Sequence, residues 1–133
     1  MFGSEAVKVA IFALSVAGLA SLSPPASAQS ADFNLTYHVE RTPAAKLSIE
    51  TCSRIATQVA RQSKLSAESQ SFPRQLVLVK GGNRGTGIFT VQCIAVGTTT
   101  TVSAVQGIDY REGKGALGNY ADKVFASLKL AAK

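Results

Sequence analysis

The sequence predicts an α+β fold, a two-layer sandwich in which two helices cover one face of a four-stranded, mainly antiparallel sheet. Two observations support this prediction. Apolar residues alternate with a period of two or cluster with β-branched residues in four segments, and they recur with a helical period in two others. The segments follow one another in the order β-α-β-β-β-α. The chain has 133 residues, 46% hydrophobic and 17% charged, which is the composition of a small globular protein with one modest core.

The first 28 residues have the pattern of a cleaved secretory signal peptide. Lys8 precedes an uncharged, largely apolar run over residues 9–22, which is too short for a comfortable membrane span. Ala26-Ser27-Ala28 follows as a small-x-small cleavage site. An uncleaved anchor is the alternative. We therefore expect one domain over residues 29–133 that is periplasmic or secreted, without a membrane attachment after cleavage.

The first predicted strand lies in residues 33–40, where large apolar residues alternate with polar ones. This pattern indicates a strand with one buried face. The spacing leaves its place in the sheet open, and the long connection to the next strand would permit a parallel pair. The apolar set is Phe33, Leu35, Tyr37 and Val39, and the polar set is Asn34, Thr36, His38 and Glu40.

A helical period then extends from residue 44 to about residue 64. Its apolar arc contains Ile49, Cys52, Ile55, Ala56, Val59 and Ala60. The next segment, residues 65–74, is rich in serine and is closed by Pro73, so it reads as a loop.

Three strand-like runs follow, over residues 75–80, 88–96 and 99–106, and they are rich in Val, Leu, Ile and Thr. Glycine-rich residues 81–87 and a tight Gly97-Thr98 turn join them, which favours an antiparallel meander. A last helix is predicted from an Asn119 cap to about Leu130. Both helices are expected on the sheet face that carries Phe89, Val91 and Cys93.

The two cysteines, Cys52 and Cys93, both lie on surfaces that these periodicities point inward. An even count in an exported protein favours a disulfide. Two buried thiols or a reactive pair are the alternatives, but the spacing of a redox Cys-x-x-Cys motif is absent.

The formal net charge is +6. For an exported protein this charge favours an acidic envelope polymer or an acidic protein as partner rather than nucleic acid. The alternative is that the charge only keeps a small domain soluble. The candidate anion or partner contacts are Arg84, in a GGNRGTG loop that lacks a phosphate-loop ending, and Arg111 and Lys114, just before the last helix.

No catalytic or metal constellation emerges from the sequence. His38 is the single histidine, whereas a metal site usually needs three or four convergent ligands. A general base would also need a positioned nucleophile. We therefore assign no catalytic residue, no metal and no cofactor, and an enzyme is the less favoured interpretation.

A second candidate surface comes from residues 85–108, which carry no charged side chain. The sheet face turned away from the helices would be flat, rich in threonine and partly apolar, which suits a partner or a homodimer through the face or edge of the sheet. The alternative is an ordinary antiparallel sheet face that is exposed to solvent and has no partner. The residues expected on that face are Thr90, Gln92, Ile94, Val96, Thr101, Ser103 and Val105.

The runs ETCSRIA, QLVLVKGGNRGTG and GIDYREGKGALGNYADK resemble those of small exported bacterial domains of unknown function. The resemblance implies a periplasmic location in a Gram-negative bacterium and no activity. The favoured hypothesis is a non-enzymatic binding module stabilised by one disulfide. The alternative is a small-anion-binding protein or hydrolase that uses the basic loop before the last helix.

Overall fold

The computed structural model describes residues 32–133, and the predicted signal peptide lies outside this range. Within it, five strands and two helices follow in the order β-α-β-β-β-β-α. The elements are β1 (Asn34–Pro43), α1 (Ile49–Gln62), β2 (Ser66–Phe72), β3 (Leu76–Asn83), β4 (Gly87–Val96), β5 (Thr100–Asp109) and α2 (Ala116–Ala131).

The strands form one antiparallel sheet with the order β1-β5-β4-β3-β2. The prediction of four strands is wrong, because part of the predicted loop 65–74 forms the edge strand β2. Every residue of β2 is exposed, so its side chains carry no apolar alternation. The strand exists through backbone pairing with β3, from Ser66 opposite Gly82 to Phe72 opposite Leu76.

Strand β1 lies at the other edge of the sheet and pairs antiparallel with β5. The sequence spacing left open where β1 lies in the sheet and whether it pairs in parallel, and this pairing gives both answers. Helix α1 therefore carries the chain from the β1 edge towards the β2 edge, and the four later strands then follow one another as hairpins.

Helix α1 begins five residues later than predicted, at Ile49 rather than Ala44. Ser48 caps it, since its hydroxyl oxygen accepts a hydrogen bond from the Thr51 amide at 3.0 Å. Helix α2 begins earlier than predicted, at Ala116, and its Gly115 cap makes no side-chain hydrogen bond. The carboxylate of Asp109 on β5 takes that role, as described below.

One core lies between the helices and the sheet. Cys52 on α1 and Cys93 on β4 form a disulfide across this core with a Cα–Cα distance of 6.0 Å, which confirms the predicted pairing. Tyr120 of α2 donates a hydrogen bond from its hydroxyl to the Ala56 carbonyl at 2.8 Å. The largest fully buried side chains besides Tyr120 are Phe89, Leu47, Leu117, Val79, Val91, Val105 and Val124. No helix within residues 32–133 is long and apolar enough to cross a membrane.

Candidate functional site: the open face of the sheet

The sheet face turned away from the two helices is called the open face here. Residues directly opposite one another in an antiparallel ladder share a face, so the strand register defines this surface as cross-strand rows. There are five rows, numbered from one end of the strands to the other, and each is written from β1 towards β2. They are Leu35-Ile108-Ile88-Gly82-Ser66, Tyr37-Gln106-Thr90-Lys80-Glu68, Val39-Ala104-Gln92-Leu78-Gln70, Arg41-Val102-Ile94-Leu76-Phe72 and, on three strands, Pro43-Thr100-Val96.

Strand β1 presents its apolar side to solvent. Leu35, Tyr37 and Val39 are 48%, 63% and 59% exposed, and they lie on the open face. The polar side of the strand, which includes His38, is half-buried against α2. The prediction that the apolar side of this strand is buried is therefore wrong.

The polar side of β1 is turned inward because α2 and the loop before it supply polar partners. The Nε2 atom of His38 lies 2.8 Å from Asp122 Oδ1. An ionised carboxylate only accepts hydrogen bonds, so Nε2 is the donor. The imidazole also stacks on the ring of Phe125, with centroids 4.3 Å apart. At the start of the strand, Asn34 Nδ2 donates to the Glu112 carbonyl at 3.2 Å.

A slip of one residue in β1 would exchange its two faces. Tyr37 and Val39 would then enter the helix layer, and the contacts of His38 would be lost. His38 is therefore one of the residues whose contacts on the helix side favour the observed orientation of β1, together with Asn34. The sequence places His38 on the polar side but gives no sign of its partner, which lies 84 residues away.

We predict that Asp122→Asn makes the free energy of unfolding less dependent on pH in the acidic range. The Lys114 ammonium donates to Asp122 Oδ2 at 2.7 Å, and this bond, with the one from His38, holds the pKa of Asp122 below its usual value of 3.8. A lowered pKa stabilises the fold above pH 3.8, and this contribution is lost as the pH falls through the lowered value. Because the carboxylate is 42% exposed, the expected effect is below about 1 kcal/mol.

The measurement is urea unfolding near pH 7 and near pH 3. Glu112→Gln, which removes an exposed carboxylate outside this cluster, is the matched control. The difference in unfolding free energy between the two pH values should be smaller for Asp122→Asn than for both the wild type and the control. An equal difference in all three proteins would contradict the assignment.

Polarity varies in a regular way across the open face. The first and fourth rows are called the end rows here, because only three strands reach the fifth row. They are mainly apolar, with Ile88 and Ile108 in the first row and Val102, Ile94 and Leu76 in the fourth. The middle rows contain most of the polar side chains. Lys80 and Glu68 pair with each other at 3.5 Å, so Arg41 is the remaining charge on the strands of this face. The polar residues of the middle rows are Gln106, Thr90, Lys80, Glu68, Gln92 and Gln70.

The placement of Thr101, Ser103 and Val105 on the open face is corrected by the structure. All three are buried on the helix side, with Val105 fully buried, and the Thr101 hydroxyl donates to the Leu47 carbonyl at 2.7 Å. The turn between β4 and β5, which was expected to have two residues, has three, because Val96 pairs with Thr100. One additional residue in a turn moves every later side chain of the strand to the other face.

The other sheet-face residues lie where they were expected. Thr90, Gln92, Ile94 and Val96 of β4 belong to the open face. Their partners on β5 are different residues from the Thr101, Ser103 and Val105 that the sequence predicts for this face. These partners are Gln106, Ala104, Val102 and Thr100.

A hollow of about 610 Å³ opens at one corner of the open face, between the start of β2 and the β3–β4 hairpin. Its lining includes Gly82, where a Cβ atom would collide with the carbonyl oxygen of Gly87 and where φ is +152°. Ser66, Ile88, Tyr110 and Arg84 also line this hollow. A side chain at Gly82 would therefore collide with the backbone of β4, so glycine is the residue that lets β3 and β4 pair closely at this corner.

The basic residues before α2 do not face an empty helix terminus. The Asp109 carboxylate is fully buried and accepts hydrogen bonds from the amides of Gly115, Leu117 and Gly118 at 2.7, 2.9 and 3.0 Å. These amides are the ones that an anion would use. Lys114 is paired with Asp122, and Arg111 is exposed in the loop.

Among residues 32–133, no three His, Cys, Asp or Glu side chains cluster in a way that could hold a metal ion.

Residues 32–133 match a family of unknown function, DUF6180. No curated protein matches the chain.

Proposed function

The chain belongs to this family of unknown function, and we propose that it is a non-enzymatic interaction module that contacts another protein molecule through the open face. Family membership brings no activity with it, so the proposal rests on the geometry of the sheet. The observation that carries it is the orientation of β1, whose apolar side is exposed although the same strand has a polar side.

The exposed apolar residues are concentrated on this face. Of the nine large hydrophobic residues exposed within residues 32–133, six lie on the open face. Contiguous exposed apolar surface on a soluble domain marks an interaction site more often than scattered single residues do. The six are Leu35, Tyr37, Val39, Phe72, Ile88 and Val96.

The face also has little charge, so its partner is recognised by shape and apolar contact. Most of the net charge of +6 is carried by side chains outside the open face. An acidic polymer would find Arg41 there and the already paired Lys80. This distribution favours a protein surface over an acidic envelope polymer as the partner.

The proposal places the module outside the cytoplasm, in the periplasm or secreted. The Cys52–Cys93 disulfide supports this location, because disulfides persist in oxidising compartments and are rare in the cytosol. The basic loop before α2 supports no second function, since Asp109 already occupies the amides of the helix terminus.

Site-specific photocrosslinking in the producing cell tests the proposal. A benzophenone amino acid replaces Tyr37, which is 63% exposed on the open face, and in a separate protein it replaces Leu130, which is 65% exposed on α2. Both positions are solvent-accessible and apolar. The two proteins therefore differ only in which surface carries the crosslinking group. We expect a discrete crosslinked protein from position 37 and none from position 130. No adduct at position 37, or the same adduct at both positions, would overturn the proposal.

A further inference from the structure

We propose that the partner of the open face is a second copy of this chain, packed face to face about a two-fold axis that runs along β4. This inference rests on the proposed function, because it names the partner of the same surface. Three properties of the face support it: its size, the symmetry of its polarity and the position of its hollow.

The open face has the size that a stable dimer needs. Five strands spaced about 4.8 Å apart and up to ten residues long give a face of about 24 Å by 30 Å. Each copy would then bury about 700 Å², close to the roughly 800 Å² per partner of a standard protein interface. Two such sheets would stack as a sandwich about 10 Å apart with nearly aligned strands.

The polarity of the face is self-complementary. Strand β4 is the central strand of the sheet, so a two-fold axis along it exchanges β1 with β2 and β5 with β3 while each row stays opposite the same row. The mainly apolar end rows then meet each other, and the middle rows, which contain most of the polar side chains, meet each other. Gln92, in the middle of β4, lies opposite Gln92 of the second copy, where the two amides can hydrogen-bond to each other.

The shape of the face fits the same axis. In the first row, Leu35 and Ile108 of one copy lie above Ser66 and Gly82 of the other, which form part of the hollow. In the fourth row, Arg41 lies above Phe72, and a guanidinium over an aromatic ring is attractive. An axis across the strands would instead place the Arg41 charge on aliphatic Leu35.

Packing through the face is favoured over pairing through an edge. Strand β1 contains Glu40 and Arg41 and ends with Pro43, and charged residues and proline discourage the addition of a further strand at an edge. The edge strand β2 contains Glu68 and no buried residue. Edge pairing would also leave the exposed apolar side chains of the open face in water.

The test is a charge exchange at Gln92, which is exposed and can be replaced without disturbing the core. The disulfide-bonded protein is purified from the cells that produce it, and its mass is measured by sedimentation equilibrium. We expect the wild type to be a dimer. Gln92→Lys and Gln92→Glu each place two like charges at the axis, so each should raise the dissociation constant at least about 100-fold. An equimolar mixture of the two variants should form the dimer again, because the charges are then opposite.

Leu130→Lys, which adds a charge at an exposed position on α2, is the control and should remain a dimer. A wild type that is monomeric at about 100 μM overturns the inference, as does a dimer that both Gln92 variants leave intact or a mixture that fails to recombine. A crosslink from position 37 to a different protein, found together with a monomeric wild type, overturns this inference and leaves the proposed function standing. A monomeric wild type without any crosslink overturns both.

Discussion

Removal of the disulfide by the double substitution Cys52→Ala and Cys93→Ala should lower the free energy of unfolding by about 4 kcal/mol, the value that the loop-entropy model gives for a separation of 41 residues. The physical reason lies mainly in the unfolded chain, which gains conformational freedom when the link between α1 and β4 is absent. A small domain has only about 5–15 kcal/mol of net stability, so this single bond is a large fraction of it.

Urea unfolding of the double variant and of the wild type, with and without reductant, measures this contribution. Reduced wild type is the matched control, and its transition should move to nearly that of the double variant. Both cysteines are fully buried, so reduction is carried out in denaturant before refolding. A loss below about 1 kcal/mol would show that the link contributes little to this fold.

Asp109→Ala should lower the free energy of unfolding by about 3 kcal/mol. The carboxylate accepts three backbone hydrogen bonds at the start of α2, and two of these bonds are buried. The substitution leaves these donors without their partner, and each buried unsatisfied donor costs about 1–3 kcal/mol. Asp109 also places a negative charge at the positive end of the helix.

Ser48→Ala is the comparison for this prediction, because Ser48 caps α1 with one partly buried hydrogen bond. An ordinary cap of this kind is worth about 1 kcal/mol. Asp109→Ala should therefore destabilise the protein by about 2 kcal/mol more than Ser48→Ala does, measured by chemical denaturation. Equal losses in the two variants would mean that water replaces the carboxylate at the start of α2.

Sequence patterns identified the elements whose side chains are sorted by burial. The stripe of α1, the strands β3 and β4, and the pairing of Cys52 with Cys93 follow from apolar periodicity, since the core selects those residues directly. Strand β2 was missed because its side chains are all exposed. Its existence depends on backbone hydrogen bonds to β3, which leave no trace in the side-chain pattern.

The candidate site was predicted in part, and its errors have local causes. Thr90 and Gln92 were placed correctly on the open face, whereas Ser103 and Val105 were placed on the wrong side by a turn one residue longer than expected. The apolar side of β1 was assigned to the core, because a sequence does not show which side of an alternating strand meets a helix. The contact of His38 with Asp122 favours the observed orientation, and this contact joins residues 84 positions apart, which a local pattern does not reveal.

Crosslinking from position 37 in the producing cell is the most direct measurement of the central claim, that the open face is covered by a protein partner when the protein works. The account predicts a discrete adduct from Tyr37, on the open face, and none from Leu130, which is equally exposed on α2. An adduct of twice the chain's own mass would identify the partner as a second copy. A face that yields no adduct while the protein is folded and disulfide-bonded would contradict the account.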